Sequence, residues 1–323
     1  MNTSVSENEL IRRIARIFAR SKRGSIALGM GDDAALWRPR AGCQAVLTCD
    51  WFLEGSHFLR DKHPADAVGW KCLARAVSDI AAMGGAPRCF LLSMALPANL
   101  TGEWFDEFLL GLRRASRALG CELAGGDTTR QERVLINITV IGEVGEGRAL
   151  LRSGAKKGDA IFVSGILGEA EAGLHELKKA NRAVNAENSK LRKHLYPQPR
   201  VALGQWLAKQ GLASAAMDLS DGLSSDLPRL CRASGVGARI DLSALPGMAG
   251  LANREAQQFA LHGGDDYELL FTVGKKNSGE IPPHFRKLKL TRIGEITSSK
   301  RLVVQDSGKL RTQEPGGWDP FRE

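Results

Sequence analysis

Six short acidic stretches constrain this chain more than any other feature of its sequence. Each sets aspartate beside glycine or small residues without a lysine or arginine, although the whole chain carries a formal net charge of +9. They are Gly31–Asp33, Thr48–Asp50, Ser78–Ile80, Gly126–Thr128, Asp218–Asp221 and Gly263–Asp266. If the fold brings these carboxylates together, they repel one another unless they stay in water or share bound cations. The pattern therefore predicts a magnesium site.

The length of the chain predicts two domains. At 323 residues it exceeds the usual size of a single hydrophobic core. Strand-like and helical runs alternate in both halves, and a glycine-rich, basic stretch at 147–158 separates them. We therefore expect an α/β (α+β) chain with an N-terminal domain at 1–150 and a C-terminal α/β domain at 151–323.

Hydrophobic periodicity places the individual elements. In the first half we expect strands at 44–48, 89–96 and 134–144, and helices at 64–83 and 101–119. In the second half we expect strands at 160–164, 215–217, 238–242 and 268–273, and helices at 169–180, 223–233 and 255–262. Ser6 and Glu9 form a capping-box pattern before an N-terminal helix. The polar segment 181–193 is expected to be a surface excursion.

Composition argues against several classes of protein. The six cysteines lack Cys-x-x-Cys spacing and mostly occur in apolar runs, as expected for reduced thiols in a cytoplasmic protein without a zinc site. No apolar run is long enough to cross a bilayer, so a membrane is not an expected partner. Basic residues are scattered outside the first predicted helix and only two tyrosines are present, so nucleic acid is not expected either.

Taken singly, several of the acidic residues have a structural interpretation beside a functional one. Asp33 suits a turn, and Asp50 is expected to end a strand. Asp79 differs, because it lies among apolar residues in the last turns of a predicted helix. The helix macrodipole disfavours negative charge there, and a local cation would remove the penalty.

The glycine-rich stretches also leave alternatives open. Gly126 and Asp127 follow a short predicted strand, where backbone amides could approach a phosphate or form a tight turn. Ser220 and Asp221 precede a helix and suit either an N-cap or a phosphate site. His57 is a candidate general base, substrate contact or surface residue. Because the chain has neither a P-loop pattern nor a His-Arg-Asp signature, the two commonest ATP-binding frames are excluded.

In their order, the motifs resemble the thiamine-monophosphate kinase family, part of the superfamily of aminoimidazole ribonucleotide synthetase. The resemblance runs from about Gly29 to Trp318. Its landmarks are GMGDDAAL, LTCDWFLEGSHF, AVSDIAAMGGAP, AGGDTTR, LLRSGAKKGD, AMDLSDGLSSDL and HGGDDYEL. Several occur across the superfamily, whereas LEGSHF, LLRSGAKKGD and DLSDGLSSDL in this order are typical of the kinase.

This resemblance implies a homodimer whose N-terminal sheets pair, with an ATP site in the cleft between the domains. It implies several Mg²⁺ ions with ligands at Asp33, Thr48, Cys49, Asp50, Asp79, Asp127, Asp218 and Asp221. It implies ATP contacts at Gly126, Asp127, Arg152 and Ser220. It implies thiamine monophosphate contacts at His57, Asp265 and Trp318.

The implied reaction is direct in-line transfer of the γ-phosphoryl group of ATP to thiamine monophosphate, giving thiamine diphosphate. A phosphate monoester has a second pKa of about 6, so its oxygen is largely ionised at neutral pH and needs no protein base. Metal ions and positioning would carry the reaction, and no catalytic side chain is expected. Two alternatives stay open: a sibling ATP-dependent enzyme with another acceptor, and a non-catalytic nucleotide-binding protein.

Overall fold

The computed structural model describes residues 6–18, 26–30, 34–179, 191–248 and 253–321. Its helices are α1 Glu7–Ile17, α2 Ala65–Ala82, α3 Glu103–Leu119, α4 Glu169–Lys179, α5 Arg192–Leu195, α6 Val201–Gln210, α7 Leu223–Ser234 and α8 Asn253–His262. Its strands are β1 Ile26–Leu28, β2 Leu36–Trp37, β3 Cys43–Leu53, β4 Ala86–Leu96, β5 Glu122–Arg130, β6 Leu135–Gly145, β7 Ala160–Ser164, β8 Ala213–Leu219, β9 Gly237–Asp241, β10 Glu268–Val273, β11 His284–Phe285, β12 Leu288–Thr297, β13 Leu302–Asp306 and β14 Lys309–Thr312. The predicted α/β (α+β) class is confirmed.

The first half is built on one sheet with the strand order β3-β6-β4-β5. Strand β6 runs antiparallel to β3 and β4, whereas β5 is parallel to β4. Alternate residues of β6, namely Ile136, Ile138 and Val140, are fully buried in the core that the sheet shares with α2 and α3. Burial of each such side chain contributes about 1.5–3 kcal/mol, which fixes the helix-covered face of this sheet.

The second half is built on a larger sheet with the order β14-β13-β9-β12-β7-β10-β8. Leu203 and Leu207 of α6 pack on one face, and Leu227 of α7 and Leu261 of α8 pack on the other. The sheet is therefore covered on both sides. All six residues of its strand β10 are buried, as expected for a strand between two helical layers.

Helix α2 connects the two halves. Its residues are buried almost all the way round, and it packs on α3, β3 and β6 as well as on α6 and β8. The backbones of α2 and α6 approach so closely that a Cβ on Gly204 would lie 1.9 Å from the carbonyl oxygen of Ala81. Side chains on α2 can therefore reach a cleft between the halves. In the described part, no helix is long and apolar enough to span a membrane.

Two local expectations about the N-terminal sheet are wrong. Strand β3 continues to Leu53, so Asp50 lies inside the strand rather than at its end. Strand β5 runs through Gly125 and Gly126 to Arg130, so the tight turn that the sequence offered as one alternative does not form. In both cases a neighbouring strand offers ladder partners along the whole length, and this long-range pairing outweighs the local turn preference.

Candidate active site between the two halves

A cavity of about 770 Å³ lies between the two halves of the chain. It is lined by residues from β3 and α2 of the first half and by loops at the ends of β8 and α8 of the second. The residues singled out from the sequence that line it are Asp50, His57, Asp79, Asp218, Ser220, Asp221, Asp265 and Trp318. Motifs up to 268 residues apart in the chain thus meet around one space, as Asp50 and Trp318 show.

One side of α2 supplies charged groups to the first-half wall. Lys71, Arg75 and Asp79 are four residues apart and therefore lie on one side of the helix. The hydroxyl of Thr48 donates a hydrogen bond of 2.5 Å to Asp79 Oδ2, and Arg75 Nε lies 3.6 Å from Asp50 Oδ2. Thr48 and Asp50 are two residues apart in β3, so their side chains lie on the same face of the sheet. This face of β3 and the adjacent side of α2 together form the acidic wall.

The second half adds a buried carboxylate at the same place. Asp218, at the end of β8, is 3% exposed, and burial together with the Asp79 charge raises its pKa to about 8. Burial and the nearby Asp50 raise the pKa of Asp79 in turn. These carboxylates repel one another, so each binds a proton more readily than in water unless a cation takes the proton's place.

The loop after β8 is held by a carboxylate of α7. Asp226, which is fully buried, accepts hydrogen bonds from the amides of Ser220 and Asp221 at 3.1 and 3.0 Å. Arg229 pairs with both Asp221 and Asp226. The N-cap of α7 is Gly222, so the alternative of an N-cap at Ser220 or Asp221 is wrong. The Asp226 carboxylate occupies these two amides, and the contact of Ser220 with ATP stays a prediction. Ser220 and Asp221 nevertheless line the cavity.

Asp265 contacts Lys71, about two helical turns along α2 from Asp79, and this end of the cavity has a different electrostatic setting. Its Oδ2 pairs with Lys71 Nζ at 2.7 Å, and its Oδ1 accepts the Tyr267 hydroxyl at 2.7 Å. Burial alone would raise the pKa of Asp265, but Lys71, His194 and Arg75 hold it well below its usual range. Asp265 is therefore a fixed carboxylate at neutral pH.

The backbone around Asp265 is strained. Asp265 and Tyr267 have φ values of 65° and 50°, in the left-handed region that glycine usually occupies. Their amides donate hydrogen bonds of 2.8 Å to the carbonyls of Ser220 and Leu219, which hold the loop in this conformation. Such strain, about 1–3 kcal/mol per residue, is typical of functional sites.

Two histidines that also line the cavity extend the contacts of Lys71. His63 and His194 are 3% and 1% exposed, and their Nε2 atoms lie 3.1 Å apart. Burial, followed by the charge of Lys71, lowers the pKa of each imidazole, to about 4 for His63. The two rings are therefore neutral at pH 7 and pack Lys71 against Asp265.

His57 lines the cavity as a neutral ring. Its Nδ1 accepts the backbone amide of Leu53 at 3.0 Å, so the proton of the neutral imidazole is on Nε2. Burial and then Arg75 lower its pKa to about 4. This geometry makes His57 a hydrogen-bond donor and excludes the general-base role that the sequence left open.

The C-terminal segment closes one side of the cavity. The amides of Gly316 and Gly317 donate to the hydroxyls of Ser224 and Ser225, at 3.2 and 3.1 Å. The amide of Trp318 donates to the carbonyl of Asp221 at 2.9 Å. Trp318 is 47% exposed and lines the opening.

The structure separates some predicted site residues from this cluster. Strand pairing aligns Asp127 with Ser93, Asn137 and Trp51, so Asp127 lies on the opposite sheet face from Asp50. Its side chain is exposed and does not line the cavity. Within a single chain, Asp127 therefore does not share the cavity with the other carboxylates, and its assignment to metal and ATP stays a prediction.

Four further predicted residues also lie outside the cavity lining, namely Thr48, which hydrogen-bonds to Asp79, and Cys49, Gly126 and Arg152. The thiol of Cys49 contacts Asn137 Oδ1 at 3.2 Å on the open face of β3, away from Thr48. Gly126 lies in β5, and Arg152 is exposed although its charge lowers the pKa of Asp79. Asp33 lies outside the described residues. The assignment of these residues to metal or ATP stays a prediction.

The acidic wall fits a magnesium ion of a particular kind. Among the described residues, no group of three or more His, Cys, Asp or Glu side chains could hold a metal alone. Magnesium commonly takes one or two carboxylates and completes its shell with water and substrate phosphates. Asp79 and Asp218 carry the mutual repulsion that such an ion relieves. These residues fit a phosphate-bridged Mg²⁺ and do not fit an all-protein cage.

Several site residues were missed from the sequence. Lys71 and Arg75 were not singled out, and His63 and His194 were expected to be structural or solvated. A signal was present, because Lys71, Arg75 and Asp79 put three charges at four-residue spacing on an otherwise apolar helix. The contact of Lys71 with Asp265 had no local signal, since 194 residues separate the two.

Comparisons with known proteins place the chain in a family. Residues 31–144 match the AIR synthase related protein N-terminal domain, and residues 156–307 match the C-terminal domain. Thiamine-monophosphate kinase of Escherichia coli (strain K12) is 39% identical over 319 residues, covering 95% of this chain and 97% of the relative. The Bacillus subtilis (strain 168) kinase is 34% identical, covering 90% and 93%. This chain belongs to the thiamine-monophosphate kinase family.

Solved structures agree with this thiamine-monophosphate kinase family assignment. The crystal structure of thiamine-monophosphate kinase from Stenotrophomonas maltophilia K279a has a TM-score of 0.81 at 38% identity, covering 94% of this chain and 98% of that chain. AaThiL complexed with AMPPCP and TMP has a TM-score of 0.75 at 34% identity, covering 97% and 96%. The hydrogenase maturation protein HypE in complex with ATP, at 19% identity and a TM-score of 0.77, shares the fold.

Proposed function

We propose that this chain transfers the γ-phosphoryl group of ATP to the phosphate of thiamine monophosphate. The observation that carries the proposal is a single cavity in which Asp79 and Asp218, from opposite halves, face a space that also contains His57 and Asp265. Kinases of this family at 34–40% identity, and the related AaThiL complex with AMPPCP and TMP, support the same reaction.

The reaction needs no protein base. The acceptor phosphate loses its second proton with a pKa of about 6, so an anionic oxygen is present at neutral pH. That oxygen forms a bond to the γ-phosphorus while the bond from the γ-phosphorus to the β,γ-bridging oxygen breaks, which gives thiamine diphosphate and ADP. His57, neutral and protonated on Nε2, is suited to donate to a substrate oxygen and not to accept a proton.

The acidic wall would bind the metal. Asp50, Asp79, Asp218 and Asp221 would hold Mg²⁺ together with phosphate oxygens. When bound, Mg²⁺ would neutralise the negative charges of the two phosphate groups, which repel each other, and the negative charge that develops during phosphoryl transfer. At the other end, the Asp265 carboxylate would attract the cationic thiazolium ring, since it stays ionised and its side chain is 31% exposed.

We also propose a homodimer formed through the open face of the N-terminal sheet. Leu47 and Trp51, on the face of β3 away from α2, are 68% and 55% exposed. Large apolar side chains side by side on a sheet face are typical of an interface. Trp51→Glu is expected to convert a dimer into a monomer in light scattering coupled to size exclusion. A monomeric wild-type protein would refute the dimer.

The test of the proposed activity is chromatographic detection of thiamine diphosphate after incubation with Mg²⁺, ATP and thiamine monophosphate. We expect the product from the wild-type protein and none without Mg²⁺. Free thiamine and aminoimidazole ribonucleotide precursors serve as competing acceptors. ATP consumption with one of these, and no thiamine diphosphate, would favour a sibling reaction; ATP binding without turnover would favour a non-catalytic protein.

A further inference from the structure

Arg75 is the charged group of the cavity that the proposed metal and substrate contacts leave unexplained. Its side chain is 15% exposed and lines the cavity between the acidic wall and Asp265. A buried guanidinium that faces an open space indicates a ligand group that completes its contacts.

The Nε atom of Arg75 is buried without a hydrogen-bond acceptor among the described residues. Its nearest carboxylate oxygen, Asp50 Oδ2, is 3.6 Å from Nε, which is an electrostatic contact beyond hydrogen-bonding distance. The group also lies over the ring of Phe52, with Cζ 5.5 Å from the centroid. Stacking of this kind fixes the plane of the guanidinium and leaves its N–H groups free to bind an anion.

The surroundings of Arg75 select the kind of anion. Lys178 is the other cavity-lining lysine or arginine in the described part, and it is exposed at the rim. A phosphate monoester with a charge near −2 is repelled by Asp50, Asp79 and the neighbouring carboxylates unless cations meet it. Arg75 is one helical turn from Asp79, so it can bind a phosphate whose other side faces the acidic wall. A guanidinium matches phosphate oxygens with two parallel N–H donors.

We propose that Arg75 binds the phosphate of the acceptor and thereby makes the site select a phosphorylated substrate over its unphosphorylated alcohol. The inference rests on the proposed function for the identity of the acceptor. Arg75 takes no part in proton transfer. It lies beside neutral His57, so the two side chains would meet the same phosphate from one side of the cavity.

Binding by calorimetry with Mg²⁺ and without ATP tests this role. The probes are thiamine monophosphate and thiamine, and the variants are Arg75→Met, Arg75→Lys and the exposed control Arg117→Met. We expect the wild type to bind the monophosphate at least about tenfold more tightly than thiamine, because charged hydrogen bonds to phosphate carry that preference. Arg75→Met should remove the preference while thiamine affinity stays within twofold, and Arg75→Lys should keep part of it.

Other outcomes would overturn the inference. If Arg75 serves only as a countercharge for Asp50, Arg75→Met changes the affinity for Mg²⁺ and AMPPCP while the preference for the monophosphate persists. An equal loss of affinity for both probes, with a lower melting temperature, would mean that Arg75 only supports the fold. If the wild type prefers the monophosphate but forms no thiamine diphosphate, the proposed activity fails and the phosphate role of Arg75 stands.

Discussion

The two ends of the cavity use the same residue type in opposite electrostatic states. At the acidic wall, Asp79 and Asp218 face other carboxylates, and burial and repulsion raise the pKa of each. At the other end, Asp265 is paired with Lys71 and Tyr267, and its pKa is lowered. Asp79 and Asp218 form no ion pair with another described residue, whereas Asp265 is already paired with Lys71.

This difference assigns metal-assisted phosphoryl transfer to the acidic wall and substrate positioning to the Asp265 end. Carboxylates that repel one another, as Asp79 and Asp218 do, are costly in the metal-free protein and become favourable when cations bind, so they are suited to metals and phosphates. A carboxylate held by a buried lysine is charged and fixed without any ligand. The acidic wall is therefore expected to govern turnover, and the Asp265 end to govern stability and substrate position.

The sharpest test of the comparison is neutralisation of the acidic wall. Asp79→Asn and Asp218→Asn should each reduce thiamine diphosphate formation by at least about 100-fold, because metal binding is lost. Both variants should melt at the same or a higher temperature than the wild type in EDTA, since repulsion is relieved. Asp306→Asn, outside the cavity, is the matched control. Wild-type activity in Asp79→Asn would break the comparison.

At the other end, removal of Lys71 should act mainly on stability. Lys71→Met leaves the Asp265 carboxylate without its cation and is expected to lower the free energy of unfolding by about 3 kcal/mol in urea denaturation. Adding Asp265→Asn should restore at least about half of that loss, because no unpaired charge is then left. Strictly additive losses in the double variant would contradict the pairing.

The pH dependence of stability should follow the acidic wall. A folded-state pKa of about 8 for Asp218, against 3.8 for the free side chain, means that the folded protein holds a proton that the unfolded chain releases. Metal-free stability should therefore fall between pH 5 and pH 8, by up to about 1.4 kcal/mol per pH unit for this group. Asp226 and Asp266, with pKa values raised to about 7, act in the same direction.

Thermal melting in EDTA across this pH range measures the slope. Asp218→Asn should make the slope of melting temperature against pH shallower. Saturating Mg²⁺ should raise the melting temperature more at pH 8 than at pH 6, because protons compete less with Mg²⁺ for the carboxylates at the higher pH. A slope unchanged by Asp218→Asn would show that this carboxyl is not held protonated.

The smallest effect is expected at the C-terminal segment. A Cβ at Gly317 would lie 1.8 Å from the carbonyl oxygen of Asp221, so Gly317→Ala must displace the segment that positions Trp318. We expect the KM for thiamine monophosphate to rise several-fold with little change in kcat, on the order of 1 kcal/mol of binding. Gly279→Ala, which meets nothing within 4 Å, is the control. An unchanged KM would show that Trp318 does not contribute to substrate binding.

Local patterns predicted the elements better than they predicted the site. Strands β7 and β10 have the predicted bounds, and the Ser6 cap holds the start of α1 through Glu9, as its sequence indicated. These features depend on periodicity and on neighbours within four residues. The course of β5 through its glycines depends on β4, which no local pattern contains.

The composition of the site was predicted only in part for the same reason. Asp79 stood out because its charge opposes the helix macrodipole. Its repulsion with Asp218 and the pairing of Lys71 with Asp265 arise between residues more than 100 positions apart. Cys49 and Asp127 follow the strand alternation to the other sheet face, which a list of motifs does not encode.

The central claim is that the γ-phosphoryl group of ATP is transferred to the phosphate of thiamine monophosphate in this cavity. The most direct measurement is mass spectrometry of products formed from Mg²⁺, thiamine monophosphate and ATP labelled with ¹⁸O on the three non-bridging γ-oxygens. Direct transfer predicts thiamine diphosphate with all three labels on its terminal phosphate. Label released as inorganic phosphate, with no labelled thiamine diphosphate, would contradict the claim.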